Sequence, residues 1–248
     1  MSFKDHFSTG PDNYRRFRPE YPPELFVYLA SLSNASGHVW DCATGSGQAA
    51  VKLAQHFATV IATDASSAQL QHAAQHPNID YHLASAEQSG LSNKSISLVT
   101  VAQALHWFDL EAFSAEVNRV IEDNGLVAAW TYNLASVSTE VDAVVARLYN
   151  DLLGRFWPPE RKFVENGYAS IQLPFEELRS PEFTMQARWR YNDFVGYLNT
   201  WSAVRGYEQQ HHASAIELVQ DELLLAWGNA NSERLISWPL TLKLWRSS

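Results

Sequence analysis

Residues 39–48 read Val-Trp-Asp-Cys-Ala-Thr-Gly-Ser-Gly-Gln, a short apolar strand running into a turn of small residues with a helix directly behind it. Few stretches restrict a fold more. Gly45 and Gly47 let the backbone take positive φ and approach a ligand closely, and a helix opening near Gln48 leaves unpaired N–H groups facing the same space. That combination is a nucleotide-type cradle. The spacing Gly45-x-Gly47-x-x-Ala50 also fits the looser dinucleotide fingerprint, so the glycines alone leave the cofactor class open. Asp41 narrows it, because a carboxylate at the strand end repels a pyrophosphate and attracts a cationic ligand.

A second motif stands at the right distance. Residues 59–64 form an apolar strand ending in Asp64, 17 residues beyond Gly47 (64 − 47), close to the offset at which an acid meets a ribose hydroxyl pair. Around these two points the apolar spacing predicts helices over 23–33, 48–57 and 66–75, strands over 38–43, 79–84, 95–102 and 126–131, and a turn at Asn124-Gly125. Asp109 is placed to cap a helix whose Leu110, Phe113, Val117, Val120 and Ile121 share one face. This alternation over 38–131 predicts a doubly wound, mostly parallel α/β sheet. Beyond it the pattern changes. An amphipathic helix is expected around Val141–Leu152, an irregular stretch with Trp157-Pro-Pro159 follows, and 183–191 alternates as a half-buried strand. Helices are expected over 193–201 and 213–227, with a closing strand after Pro239.

Charge and composition exclude some partners. The net charge of −9 and the lack of a Lys/Arg patch argue against a nucleic-acid backbone. No run of ~18 apolar residues is present to span a bilayer, and the start Met1-Ser-Phe-Lys-Asp-His lacks a signal-peptide core. A single cysteine, Cys42, excludes an internal disulfide. A cytoplasmic protein acting on a small molecule is expected, as a monomer or homodimer, without nucleic acid or membrane as partner.

The strand-one turn resembles the first motif of class I S-adenosylmethionine-dependent methyltransferases, Asp-x-Gly-x-Gly-x-Gly, with Ala43 standing where the first glycine normally is. Further segments resemble the subgroup called trans-aconitate methyltransferase-like, also grouped as methyltransferase type 11. These are Tyr14-x-x-Phe-Arg-Pro-x-Tyr-Pro, the Ala86-Glu87 loop, Gln103-Ala-Leu-His-Trp-Phe-Asp109, Trp201-Ser-Ala and a terminal Trp238-Pro-Leu. The resemblance implies a seven-stranded Rossmann-like sheet with an antiparallel last strand and a helical cap. The expected organisation is a lid segment with the first helix over 1–37, a cofactor-binding core over 38–133, a helical cap insertion over 134–182, and completion of the sheet over 183–248. It implies S-adenosyl-L-methionine as cofactor, held by Asp41, Gly45, Gly47, Asp64 and Gln103, with Ser85, Ala86 and Glu87 beside the adenine. Ser85 replaces the acid usual at that position.

His106 is the candidate general base for a hydroxyl or amine acceptor, with a packed, loop-holding histidine as the alternative; a carboxylate acceptor needs no base. Tyr14 is the second candidate for catalytic contact. Arg15, Arg18 and Arg205 are the cations suited to gripping an anionic substrate, Arg18 equally to reaching the cofactor's carboxylate. Tyr21, Trp107 and Trp201 are expected to line the substrate side. His72 and His76 are helix-spaced but lack a third ligand, so no metal is expected. The rival readings are an NAD-type oxidoreductase and a non-catalytic protein that binds S-adenosylmethionine.

Overall fold

The computed structural model describes residues 17–34 and 36–248. Pro23, whose fixed φ suits a first helical turn, opens α1 (Pro23–Leu32), which buries Leu25, Phe26 and Leu29. Strands and helices then alternate: β1 (His38–Cys42), α2 (Gln48–Leu53), β2 (Thr59–Asp64), α3 (Ser67–Gln71), β3 (Ile79–Leu83), β4 (Ile96–Ala102), α4 (Leu110–Val120) and β5 (Ile121–Tyr132). Two helices stop about a turn short of the predicted ends. After α3 the reason is tertiary, for the Ala74 N–H bonds to Ser46 O in the β1 turn at 3.2 Å and draws the chain out of its helix. Asn124 and Gly125 do not separate helix from strand. They form an irregularity inside β5, with Asn124 at φ 62, while β4 advances from Ile96 to Leu98 as β5 advances from Ile121 to Leu126.

The second half supplies α5 (Thr139–Arg147), a wider turn over Leu148–Leu152, α6 (Arg161–Glu165), β6 (Glu176–Leu178), β7 (Phe183–Trp189), α7 (Tyr191–Asn199), α8 (Ser202–His211), α9 (Gln220–Trp227) and β8 (Arg234–Arg246). Helix α8 was not anticipated, because it buries only Ala203 and Val204. The helix expected over 213–227 is turns until Gln220, where α9 begins.

Sheet order is β3-β2-β1-β4-β5-β8-β6, with β7 also on β8. Strands β1 to β5 are parallel, β8 runs antiparallel to β5, and β6 and β7 run antiparallel to β8. The reversed last strand matches expectation. Eight strands replace the expected seven because two segments share one edge: β6 faces Leu244–Arg246 and β7 faces Arg234–Leu240. Pro181, which has no N–H for a ladder, lies in the gap between them. The segment β6 comes from within the expected helical cap. Strand β8 also starts five residues before Pro239 (239 − 234). That proline sits opposite Thr184 of β7, before the β5 ladder starts at Leu240, so only one neighbour is present there.

Both faces of the sheet are covered. Trp130 and Tyr132 of β5 join α1, α2 and the cap on one side, whereas Val127 and Ala129 join Trp40, Phe113, Val117 and Tyr168 on the other. Burying each large side chain contributes about 1.5–3 kcal/mol. Among the described residues no helix is long and apolar enough to cross a membrane.

Candidate functional site

The carboxyl ends of β1, β2, β4 and β5 lie side by side in this sheet, the edge at which open α/β folds bind ligands. The β1 turn is built downward onto Asp41. That residue is fully buried, and its two carboxylate oxygens accept hydrogen bonds from Thr44 Oγ1 (2.5 Å) and Thr100 Oγ1 (2.7 Å). Burial pushes its pKa up to about 6, opposed by the two threonines, so the group is still mainly ionised at neutral pH. Asp41 therefore anchors the turn and places a negative field beneath it. Ala43, at φ 54, adopts the left-handed backbone that suits the glycine usual in the motif.

Gly45 and Gly47 both hold positive φ, 58 and 81, yet they differ in surroundings. Among the described residues a Cβ on Gly45 would meet Gln69 Oε1 at 3.8 Å, an ordinary contact distance, whereas one on Gly47 would meet Tyr81 Oη at 2.2 Å. Asp64 ties β2 to the turn: Oδ2 accepts from the Gly45 N–H and Oδ1 from the Ser66 N–H, each at 2.8 Å. The next loop continues from the Ala84 N–H bonded to Asp64 O (3.1 Å); Ser85 bridges to Gln88, Ala86 is buried, and Glu87 Oε1 accepts from the Asp109 N–H at 3.3 Å.

Gln103 closes β4 in a left-handed conformation, φ 59. Its N–H bonds to Trp130 O (2.9 Å) and its Oε1 accepts from Thr131 Oγ1 (2.8 Å), so the strained residue is held by β5. Just beyond, His106 packs against Trp107 with ring centroids 4.6 Å apart, and its Nδ1 is 2.9 Å from Tyr168 Oη. Burial, and secondarily the charge of Arg161, push its pKa down to about 3. The imidazole is neutral throughout the physiological range and is a weak base. His106 thus stands at the sheet edge with Tyr168 and Trp107 as its neighbours.

The other predicted residues scatter. Arg18 Nη1 donates to Tyr132 Oη (2.9 Å) and its guanidinium lies 5.7 Å from the Tyr197 ring centre, which brings it to the end of β5. Tyr21, expected on the substrate side, packs its buried ring edge-on against Trp130 at 5.5 Å in the core. Trp201 belongs to an aromatic cluster with Tyr149, Trp157 and Tyr197, at 5.8, 5.5 and 6.0 Å. Arg205 follows one turn later on α8. Tyr14 and Arg15 lie outside the described residues. Cys42 is buried beside Asp41, and burial raises its thiol pKa, which suits packing rather than nucleophilic chemistry. His72 follows the end of α3 and turns its Nδ1 to Ala68 O, and among the described residues no cluster of three metal-ligating side chains occurs.

Sequence reading missed Arg161, Tyr149, Tyr168 and Thr44. For Thr44 the signal was available, a hydroxyl three residues after a strand-end acid. Arg161 and Tyr168 sit in an aperiodic stretch and meet Asn133 and His106 from 28 and 62 residues away.

Comparison with known proteins follows the same lines. A family model described as a methyltransferase domain matches residues 40–129. A Dictyostelium discoideum protein named as a methyltransferase is 32% identical over 235 residues, covering 93% of this chain and 89% of that one. A solved structure from Anaeromyxobacter dehalogenans, described as a type II methyltransferase, is 43% identical with TM-score 0.87, covering 92% of this chain and 97% of that one. A structure from Anabaena variabilis, 20% identical with TM-score 0.54 over 90% of this chain and 98% of that one, shares the fold.

Proposed function

We propose that this chain, which belongs to the class I S-adenosylmethionine-dependent methyltransferases, transfers a methyl group to a small molecule at a carboxylate oxygen. Membership removes the nicotinamide-dependent alternative. The observation that carries the cofactor assignment is the left-handed Gly45–Gly47 turn at the carboxyl edge of the sheet, tied to the Asp64 carboxylate through the Gly45 N–H and underlain by buried Asp41.

In this reading Asp64 accepts from the ribose hydroxyls, the Gly45–Gly47 backbone approaches the cofactor closely, and Ser85, Ala86 and Glu87 border the adenine. Asp41 acts through its field, since both of its oxygens are engaged by threonines. Gln103 faces the reacting end, and Arg18 supplies a cation near the end of β5 for a carboxylate. The bound cofactor supplies a methyl group on a sulfonium, whose positive charge is lost on transfer. The chain's own contribution is alignment and exclusion of water, worth up to ~7–11 kcal/mol for ideal positioning. An acceptor carboxylate is already a nucleophile at neutral pH. A lone pair on one of its oxygens would take the methyl group that the bound cofactor supplies, the C–S electron pair leaving with sulfur, so the chain's residues would have no proton to move. A neutral, weakly basic His106 is consistent with that chemistry and not with deprotonation of an alcohol.

Isothermal calorimetry with S-adenosylhomocysteine tests the cofactor assignment. Wild type is expected to bind it and Asp64→Ala to bind at least about tenfold more weakly, the loss of hydrogen bonds to a charged group. No binding by wild type, or equal binding by the variant, overturns it. Radiolabelled methyl transfer to acids, and not to amines or phenols, tests the acceptor.

A further inference from the structure

Resting on the methyl-transfer reading, we propose that Arg161, a residue of the cap, grips the acceptor's carboxylate through Nη1 and sets the enzyme's preference for acids. Its guanidinium is already fixed in place. Nε donates to Tyr149 Oη at 2.8 Å and Nη2 to Asn133 Oδ1 at 3.0 Å, while the group lies over the Trp157 ring at 4.9 Å and the Tyr149 ring at 5.4 Å. Such a cation has lost its rotamer freedom before any ligand arrives.

What remains is directional. Nη1 makes no hydrogen bond to any described residue, and no carboxylate among the described residues lies within ion-pair distance of this arginine. The nearby acid, Glu165, accepts instead from Tyr149 Oη at 2.5 Å. The side chain is only half-buried and borders a cavity of about 280 Å³ shared with Tyr149, Trp157 and Glu165, so a small molecule has room beside it.

Position ties this cation to the reaction. Asn133 directly follows β5, so the guanidinium is held over the carboxyl edge of the sheet, near enough to His106 for its charge to disfavour an imidazolium. Two features on that edge then agree. A fixed cation lacking a carboxylate partner calls for an anion, and a histidine that stays unprotonated offers neither a competing cation nor a base, which an anionic acceptor does not require. Nε and Nη2 each spend one N–H on these tethers, which leaves both N–H groups of Nη1 and one of Nη2 to receive a carboxylate.

Protein saturated with S-adenosylhomocysteine is titrated calorimetrically with butyrate, benzoate and succinate and with their primary amides. At least one acid is expected to bind wild type about tenfold more tightly than its amide, with Arg161→Gln binding that acid about tenfold to a hundredfold more weakly, as for loss of one charge-assisted hydrogen bond. Arg161→Lys keeps the charge without the tethers and is expected between the two. S-adenosylhomocysteine affinity and thermal midpoint report separately on the cofactor site and on folding. The proposal is overturned if no acid binds cofactor-loaded wild type, if acids bind no better than amides, or if Arg161→Gln binds acids as wild type does. A wild type that fails to bind S-adenosylhomocysteine overturns the methyl-transfer reading instead.

Discussion

Gly47→Ala is the substitution whose cost this geometry predicts most closely. At φ 81 an L-residue pays about 1–2 kcal/mol of left-handed strain, offset by about 0.4–1 kcal/mol because alanine loses less freedom on folding. The new Cβ also falls 2.2 Å from Tyr81 Oη and 3.2 Å from Tyr81 Cζ. The ring must withdraw, giving up the bond from Tyr81 Oη to Ala74 O (2.8 Å), about 1 kcal/mol, with repacking of a further 1–3 kcal/mol, roughly. The sum is about 2–5.6 kcal/mol, or a fall in Tm of about 4–22 °C for a chain of this size. Gly90→Ala is the control: it has φ 75 with nothing within 4 Å of the Cβ, and its expected loss is only about 1 kcal/mol, or about 2–4 °C. Differential scanning fluorimetry of the two variants, with Tyr81→Phe alone and combined with Gly47→Ala, completes a double-mutant cycle. The combined variant is expected to lose less than the two single losses together, by about 1 kcal/mol. The reasoning fails if Gly47→Ala melts within a degree of Gly90→Ala, or if the two substitutions simply add.

Gly45→Ala meets no tight contact among the described residues and is expected to reverse that pattern, melting like Gly90→Ala but losing S-adenosylhomocysteine affinity in calorimetry, since its methyl group would stand where the turn backbone approaches the cofactor; retained affinity refutes the cradle. His106 has a folded pKa of about 3 against about 6.5 unfolded, so the unfolded state binds more protons between those values and stability declines as pH falls through that window, by up to about 1.4 kcal/mol per unit. Thermal melts from pH 7 to 4 should show a smaller decline in His106→Asn than in wild type, and parallel curves contradict the burial. Glu116 is held down to about 2 by Arg119 and then by its bonds from Ser89. Its contribution is present above about pH 4.5 and declines as pH falls toward 2, so the Tm gap between wild type and Glu116→Gln should narrow over that range. A constant gap assigns the effect to shape alone.

The cradle was legible because local chemistry dictates it. Asp41, Gly45 and Gly47 demand a strand, a left-handed turn and a helix in that order, and Asp64 closes the second strand at the residue expected. What the sequence concealed has non-local causes. The end of α3 is set by Ser46, 28 residues from Ala74 (74 − 46), and α8 has too few apolar positions for its period to register. Arg161 reads as one more surface cation in an irregular stretch. Its role depends on Tyr149, Trp157 and Asn133 arriving at one point, which no spacing rule records. His106 was legible as a residue at the sheet edge, but not as a neutral one, because its burial and Tyr168 partner come from the cap.

Strand β8 has a temporal consequence. It follows every other described strand, and it is the neighbour on which β6 and β7 pair and the cover for the outer edge of β5 from Leu126 to Tyr132. During synthesis, then, five parallel strands can assemble while an apolar β5 edge stays uncovered for the time needed to make more than a hundred further residues, several seconds at about 5–20 residues per second. Over that interval the nascent chain presents an unpaired strand edge of the kind that templates aggregation. Emergence of β8 is what converts an adhesive intermediate into a closed enzyme.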